Sequence, residues 1–184
     1  MRIDINQKKI SIGDKYQIFI DGQQRYSGAK KLFRMLAEIE LSDLMNQQVK
    51  LTIKKRLSLF RAKFRIIYPM GIEYQFETIS YWKLHYRCVF DKDTYEIYGH
   101  RGRKYSVYKN GIQIACWDKE LVSWFNGDNY TIIADNDCNY ELLIAFCLII
   151  DEFRSDDNKS AVNVDIGHIG PQAMQFNPNW QPKN

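Results

Sequence analysis

Between Lys50 and Arg65 the chain sets seven cations, Lys50, Lys54, Lys55, Arg56, Arg61, Lys63 and Arg65, with no acid among them. Leu51, Ile53, Leu57, Leu59, Phe60 and Phe64 are interleaved with these charges. Residues of this type at this density suit phosphate: an Arg fork matches phosphate oxygens, and each basic residue near an anionic bilayer contributes about 1 kcal/mol of attraction. The ligand this points to is an anionic phospholipid headgroup or another phosphorylated group, and the plainer alternative is a solvated basic face. A second candidate is Trp124 with Phe125, ahead of Asn126-Gly127. Aromatic side chains on such a loop could enter a membrane interface or hold a protein partner, or simply pack over the end of the domain.

Other chemistry-bearing residues lead to simpler readings. In "DNDCNYE" the polar residues Asp135, Asp137, Asn139 and Glu141 alternate as at the start of a calcium loop. A calcium loop needs Gly at its sixth position and Glu at its twelfth, where this chain has Tyr140 and Phe146, so helix capping is the better account. His85, His100 and His168 are scattered, and Cys88, Cys116, Cys138 and Cys147 show no ligand spacing, so no metal site is expected. "GHRGRK", Gly99 to Lys104, lacks the frame of a phosphate-binding loop and reads as a hairpin turn. Asp151 and Glu152 are neighbours on a helical segment and so point apart, which argues against paired acid–base work. Nothing argues for catalysis or a cofactor, and a non-enzymatic protein is expected.

The elements that must position these residues are mostly strands. The 184 residues are 45% hydrophobic and 14% aromatic, enough for one globular domain. Period-two alternation with turn punctuation runs from Lys8 to Asp135. In "KYQIFID", Tyr16, Ile18 and Ile20 share a face and Asp21-Gly22 supplies the turn; in "RKYSVYKNGIQIAC", Tyr105 and Val107 lie on one arm, Ile112 and Ile114 on the other, around Asn110-Gly111. "VKLTIKKRLSLFRAKFRIIY" reads as two strands meeting near Lys54 to Arg56, with Leu57, Leu59 and Phe64 inward and Arg61, Lys63 and Arg65 outward. "IEYQFETI", "YWKLHYRCVF", "DTYEIYGH" and "NYTIIAD" follow, giving roughly ten to twelve strands.

"NYELLIAFCLIIDEFR" breaks the pattern with nine consecutive apolar residues, Leu142 to Ile150. A bilayer span needs about 20, so this is no transmembrane helix. It is apolar on every face, which calls for a protein enclosure. A barrel of about twelve strands has a lumen wide enough to need a plug, and this helix is a suitable one. Asp135, Asp137 and Asn139 would cap its start, and Asp151 and Glu152 would mark where it emerges. Residues 155–184 are rich in Asn, Asp, Gly and Pro and read as an extended polar tail, packed in part or disordered, behind a domain of residues 1–154. The start "MRIDINQKKI" has no apolar signal region, and buried free thiols fit a reducing compartment, so a cytoplasmic protein, peripheral at a membrane if it binds lipid, is expected.

Jointly, "YQIFID", "YEIYG" at Tyr95 to Gly99, "YKNGIQIACWDKELVSWFNGDNYTIIA" and the closing helix ending "LIIDEF" resemble the tubby C-terminal-like superfamily, in particular its LURP-one-related group. In the third segment Gly111, Ala115, Lys119, Ser123, Trp124, Asp128 and Tyr130 stand where that pattern has them. The resemblance runs from about Lys15 to Arg154. It implies a twelve-stranded antiparallel β-barrel wrapped around a buried C-terminal helix. It also implies, by similarity to tubby domains, phosphoinositide headgroups met by basic residues on the barrel wall. Phospholipid scramblases are more distantly similar, but the calcium pattern associated with their final helix is not met here.

Residues 1–110 hold 22 Lys/Arg against 11 Asp/Glu, a balance of +11, while residues 111–184 hold 4 against 11, a balance of −7. The basic part would steer phosphate-bearing partners. A protein-interaction domain that uses rim loops and tail is the alternative, and the acidic second part places nucleic acid last among the partners.

Overall fold

The computed structural model describes residues 1–10, 13–31, 35–57, 61–119, 129–158 and 169–183. Twelve strands form one closed barrel: β1 (Arg2–Ile10), β2 (Gly13–Ile20), β3 (Gln23–Lys30), β4 (Glu38–Asp43), β5 (Val49–Lys55), β6 (Lys63–Ile67), β7 (Glu73–Ser80), β8 (His85–Phe90), β9 (Asp93–Gly99), β10 (Lys104–Lys109), β11 (Ile112–Lys119) and β12 (Asn129–Ala134). Each pairs antiparallel with its sequence neighbours, and β1 closes on β12 with Ile3 opposite Ile132 and Ile5 opposite Tyr130. A helix, α1 (Tyr140–Asn158), follows. This is the expected mainly-β barrel with a buried helix.

Strand periodicity explains the lumen. Ile3 and Ile5 of β1, Tyr16 and Ile18 of β2, Ile39 and Leu41 of β4, and Leu51 and Ile53 of β5 are buried at alternate positions. They surround α1, whose residues from Leu142 to Ile150 are all buried, and Phe146 at its centre packs against Phe76 and Tyr95 at 5.7 and 5.8 Å between ring centroids. The two tight hairpins form where Asp-Gly and Asn-Gly foretell them. Asp21 and Gly22 have φ of 47° and 83°, and Asn110 and Gly111 have 50° and 82°, the positive pair such turns require.

The twelve strands agree with the expected ten to twelve: the runs picked out above account for ten, and β1 and β4, each signalled by only two alternating apolar residues, complete the barrel. Three expectations need correction. The β5–β6 strands do not meet at Lys54 to Arg56, because β5 ends at Lys55 and β6 begins at Lys63. Leu57 therefore lies in the connection and is 82% exposed rather than inward, Leu59 lies outside the described residues, and only Phe64 of that trio is seen buried. Asp151 and Glu152 do not mark an exit: they are 4% and 3% exposed and α1 continues to Asn158.

An up-and-down barrel has two mouths. The connections β1–β2, β3–β4, β5–β6, β7–β8, β9–β10 and β11–β12 lie at one, and the alternate connections at the other. Because α1 follows β12, it starts at the second mouth and runs toward the first; Phe153 meets Tyr81 of the β7–β8 connection at 6.2 Å and Arg154 donates to Tyr105 at 3.2 Å. Asn139 caps the start, accepting from Leu142 N at 3.0 Å. Residues 169–183 lie on the barrel: Trp180 Nε1 donates to Gln113 O, Lys183 N to Asp135, and Phe176 rests on His100. Among the described residues no helix is long and apolar enough to cross a membrane.

Candidate functional site

The seven cations divide into two groups. Lys50, Lys54, Lys55 and Arg65 sit on β5 and β6, whose outward faces adjoin acids on the flanking strands. Lys54 stands opposite Glu38 in the β4–β5 register and reaches it at 3.5 Å, beside Lys31 at 3.1 Å from the same carboxylate. Lys50 lies 3.7 Å from Asp43, and Arg65 pairs with Glu73 of β7 at 3.1 Å. Lys55 also has an interaction partner. Sequence reasoning saw an acid-free run, but β4 and β7 bring acids back to it in space.

Arg56, Arg61 and Lys63 form the second group, carried by the β5–β6 connection and the first residue of β6, at the first mouth. All three are exposed. Lys63 stands opposite Glu77 in the β6–β7 register, but no ion pair joins them, and neither Arg56 nor Arg61 has an ion-pair partner among the described residues. Guanidinium and ammonium groups left in water keep all their donors for an incoming phosphate. Trp124 and Phe125, the other candidates, fall outside the described residues.

Inside the same mouth sits a buried polar network that the sequence did not disclose. Asp151 accepts from Tyr16 OH at 3.1 Å and from Tyr130 OH in a shorter contact, and Gln7 Nε2 donates to Tyr16 OH at 3.4 Å. One turn face away, Glu152 takes Lys30 Nζ at 2.7 Å. Asp151 and Glu152 thus point apart, as helix neighbours must, and each is satisfied by a different part of the wall. The spacing could not reveal this, because Tyr16 and Lys30 lie more than 120 residues from their partners and Tyr130 lies on a separate strand.

The remaining candidates are inert or occupied. All four cysteines are free thiols, and burial pushes Cys88 up to about 12, far from a reactive thiolate. Cys138 rises to about 11 through burial and the charges of Asp135 and Asp137. Ligand atoms of Asp135, Asp137 and Cys138 lie within 4.8 Å of one another, but Asp135 is engaged by Lys183 N at 2.7 Å. A thiol held protonated beside an occupied carboxylate is a poor cation cage. His85 is hydrogen-bonded to Glu96 at 3.1 Å and His100 to Ser106 at 2.7 Å, in separate places.

No curated protein and no solved structure matches the chain significantly. A family model described as LURP-one-related does, over residues 1–151, which includes every strand and the apolar run Leu142 to Ile150 of the helix. That match spans more than half the chain and accords with the barrel that encloses α1, so the protein belongs to the LURP-one-related family.

Proposed function

We propose that this protein is a non-enzymatic binding domain for anionic phospholipid, phosphoinositide headgroups included, acting inside the cell and peripheral at the membrane. Family membership points to a non-enzymatic binding domain. The observation that supports the lipid reading is the set Arg56, Arg61 and Lys63, exposed together at one barrel mouth without ion-pair partners among the described residues. Lys50, Lys54 and Arg65 are already neutralised by Asp43, Glu38 and Glu73 and are support for the wall rather than ligand contacts. Of the seven cations, we take Arg56, Arg61 and Lys63 as the ligand contacts, with Lys55 at their edge.

A protein-interaction role for the tail has less to draw on, because residues 169–183 already spend Trp180, Phe176 and Lys183 on the barrel. We read residues 169–183 as a strap on a binding domain of residues 1–154, within the tail expected at 155–184. Charge reversal separates the two groups of cations. Arg56→Glu, Arg61→Glu and Lys63→Glu combined should remove most cosedimentation with vesicles containing phosphoinositide, roughly 1 kcal/mol per charge and more for reversal. Lys50→Gln with Arg65→Gln should leave cosedimentation within about threefold of wild type. Equal losses in both sets would contradict the assignment of the rim.

A further inference from the structure

We infer that the protein meets an anionic bilayer with its first mouth facing down, and that Met35, Leu57 and Trp82 enter the acyl boundary while the neighbouring cations hold the headgroups; this rests on the lipid reading above. Met35 is 100% exposed, Leu57 82% and Trp82 77%. They stand on the β3–β4, β5–β6 and β7–β8 connections, three successive loops of the same mouth. Strands lie about 4.8 Å apart, so such loops follow one another at roughly 10 Å around the rim. Three large apolar side chains in water on adjacent tips have no folding role, since none contributes to the core. Trp82 is braced rather than loose: its ring meets Tyr81 edge-on at 5.4 Å, and Tyr81 packs on Phe153 of α1.

Charge selects the occupant. Arg56, Arg61, Lys63 and Lys83 alternate with these tips, and Arg101 lies farther around the same mouth. The opposite mouth also exposes apolar tips, Met45 and Met70 among them, but its described loops expose Asp21, Asp91 and Asp137 against Lys92. An anionic surface would repel that end and attract this one. Apolar tips ringed by cations match a bilayer with anionic headgroups, in which Trp prefers the interface and basic residues remain at headgroup depth. A free headgroup would use the cations and leave the three tips in water.

The test uses the full chain and vesicles of phosphatidylcholine with phosphatidylserine and phosphoinositide. Brominated acyl chains should quench wild-type fluorescence, and in a Trp124→Phe background Trp82→Phe should lose most of the quenching that remains. Leu57→Asp and Trp82→Asp should each lower vesicle affinity about tenfold or more, while Met45→Asp and Met70→Asp at the far mouth should leave it unchanged. Thermal melting would check that each variant is folded. Binding to anionic vesicles with no bromolipid quenching, and with Leu57→Asp indistinguishable from wild type, would overturn the insertion and leave the electrostatic reading standing. Failure of the wild type to bind any anionic vesicle would overturn both. Retention on an acidic polypeptide or nucleic acid in place of vesicles would also count against the bilayer as occupant.

Discussion

At the scale of residues, acids from other strands decide what each charge is worth. Glu96 shows this on a folded wall: burial alone would raise its carboxyl, but hydrogen bonds from Arg87 and His85 outweigh that and hold it below its ordinary 4.5. A depressed carboxylate stabilises the fold at pH above the unfolded value, and the contribution is lost as pH falls through the folded value. Stability from Glu96 should therefore be complete above about pH 5 and fade below pH 4.5. The partly exposed site limits it to about 1 kcal/mol or less. Replacing Glu96 with Gln should make the acid limb of a stability–pH curve measurably shallower, read by denaturant titration at pH 3.5 and pH 7; an unchanged slope would show that the ion pair contributes nothing. The same dependence on neighbours explains what the sequence concealed. The acid-free run from Lys50 to Arg65 was legible, but its pairing with Asp43, Glu38 and Glu73 is a matter of register, which no single stretch encodes. Nor did anything near Asp151 announce Tyr16 and Tyr130.

At the scale of elements, the strongest local signals were the most dependable. Asn110-Gly111 and Asp21-Gly22 specify their hairpins through backbone conformation alone, and nine apolar residues in a row specify burial through solvation alone. β1 and β4 were harder to see because each offers two inward apolar residues, Ile3 and Ile5 or Ile39 and Leu41, and is fixed chiefly by its neighbours. The β5–β6 connection misled for a related reason: Leu57 continues an apolar alternation past the point where pairing stops at Lys55. Gly99, in "YEIYG", has a packing reason to be glycine, since a Cβ there would lie 2.6 Å from Leu84 Cβ. The helix should be the main stabilising element. Phe146→Ala removes the ring between Phe76 and Tyr95 and should cost about 3 to 5 kcal/mol in denaturant unfolding. Met70→Ala, on an exposed turn, should stay within about 0.5 kcal/mol. If both substitutions cost the same, α1 is not the core of the barrel.

At the scale of the whole molecule, the alternating connections of the barrel sort the described loop residues into two mouths of different charge. Arg56, Arg61, Lys63 and Lys83 gather where the β5–β6 and β7–β8 connections turn, while Asp135 and Asp137 precede the helix at the far end. Fold class could be foreseen because solvation of one helix demanded an enclosure of about the size that the strand count provided. The proposed membrane face could not, because exposure of Met35, Leu57 and Trp82 is a property of loop positions rather than of composition. The central claim is that this barrel binds anionic membrane surface through its basic mouth, and flotation of the wild-type protein with vesicles tests it most directly. Binding to phosphoinositide-containing vesicles at low salt, none to pure phosphatidylcholine, and a steep loss as salt rises through about 0.15 M are predicted. Equal flotation with neutral and anionic vesicles, or none with either at low salt, would contradict it.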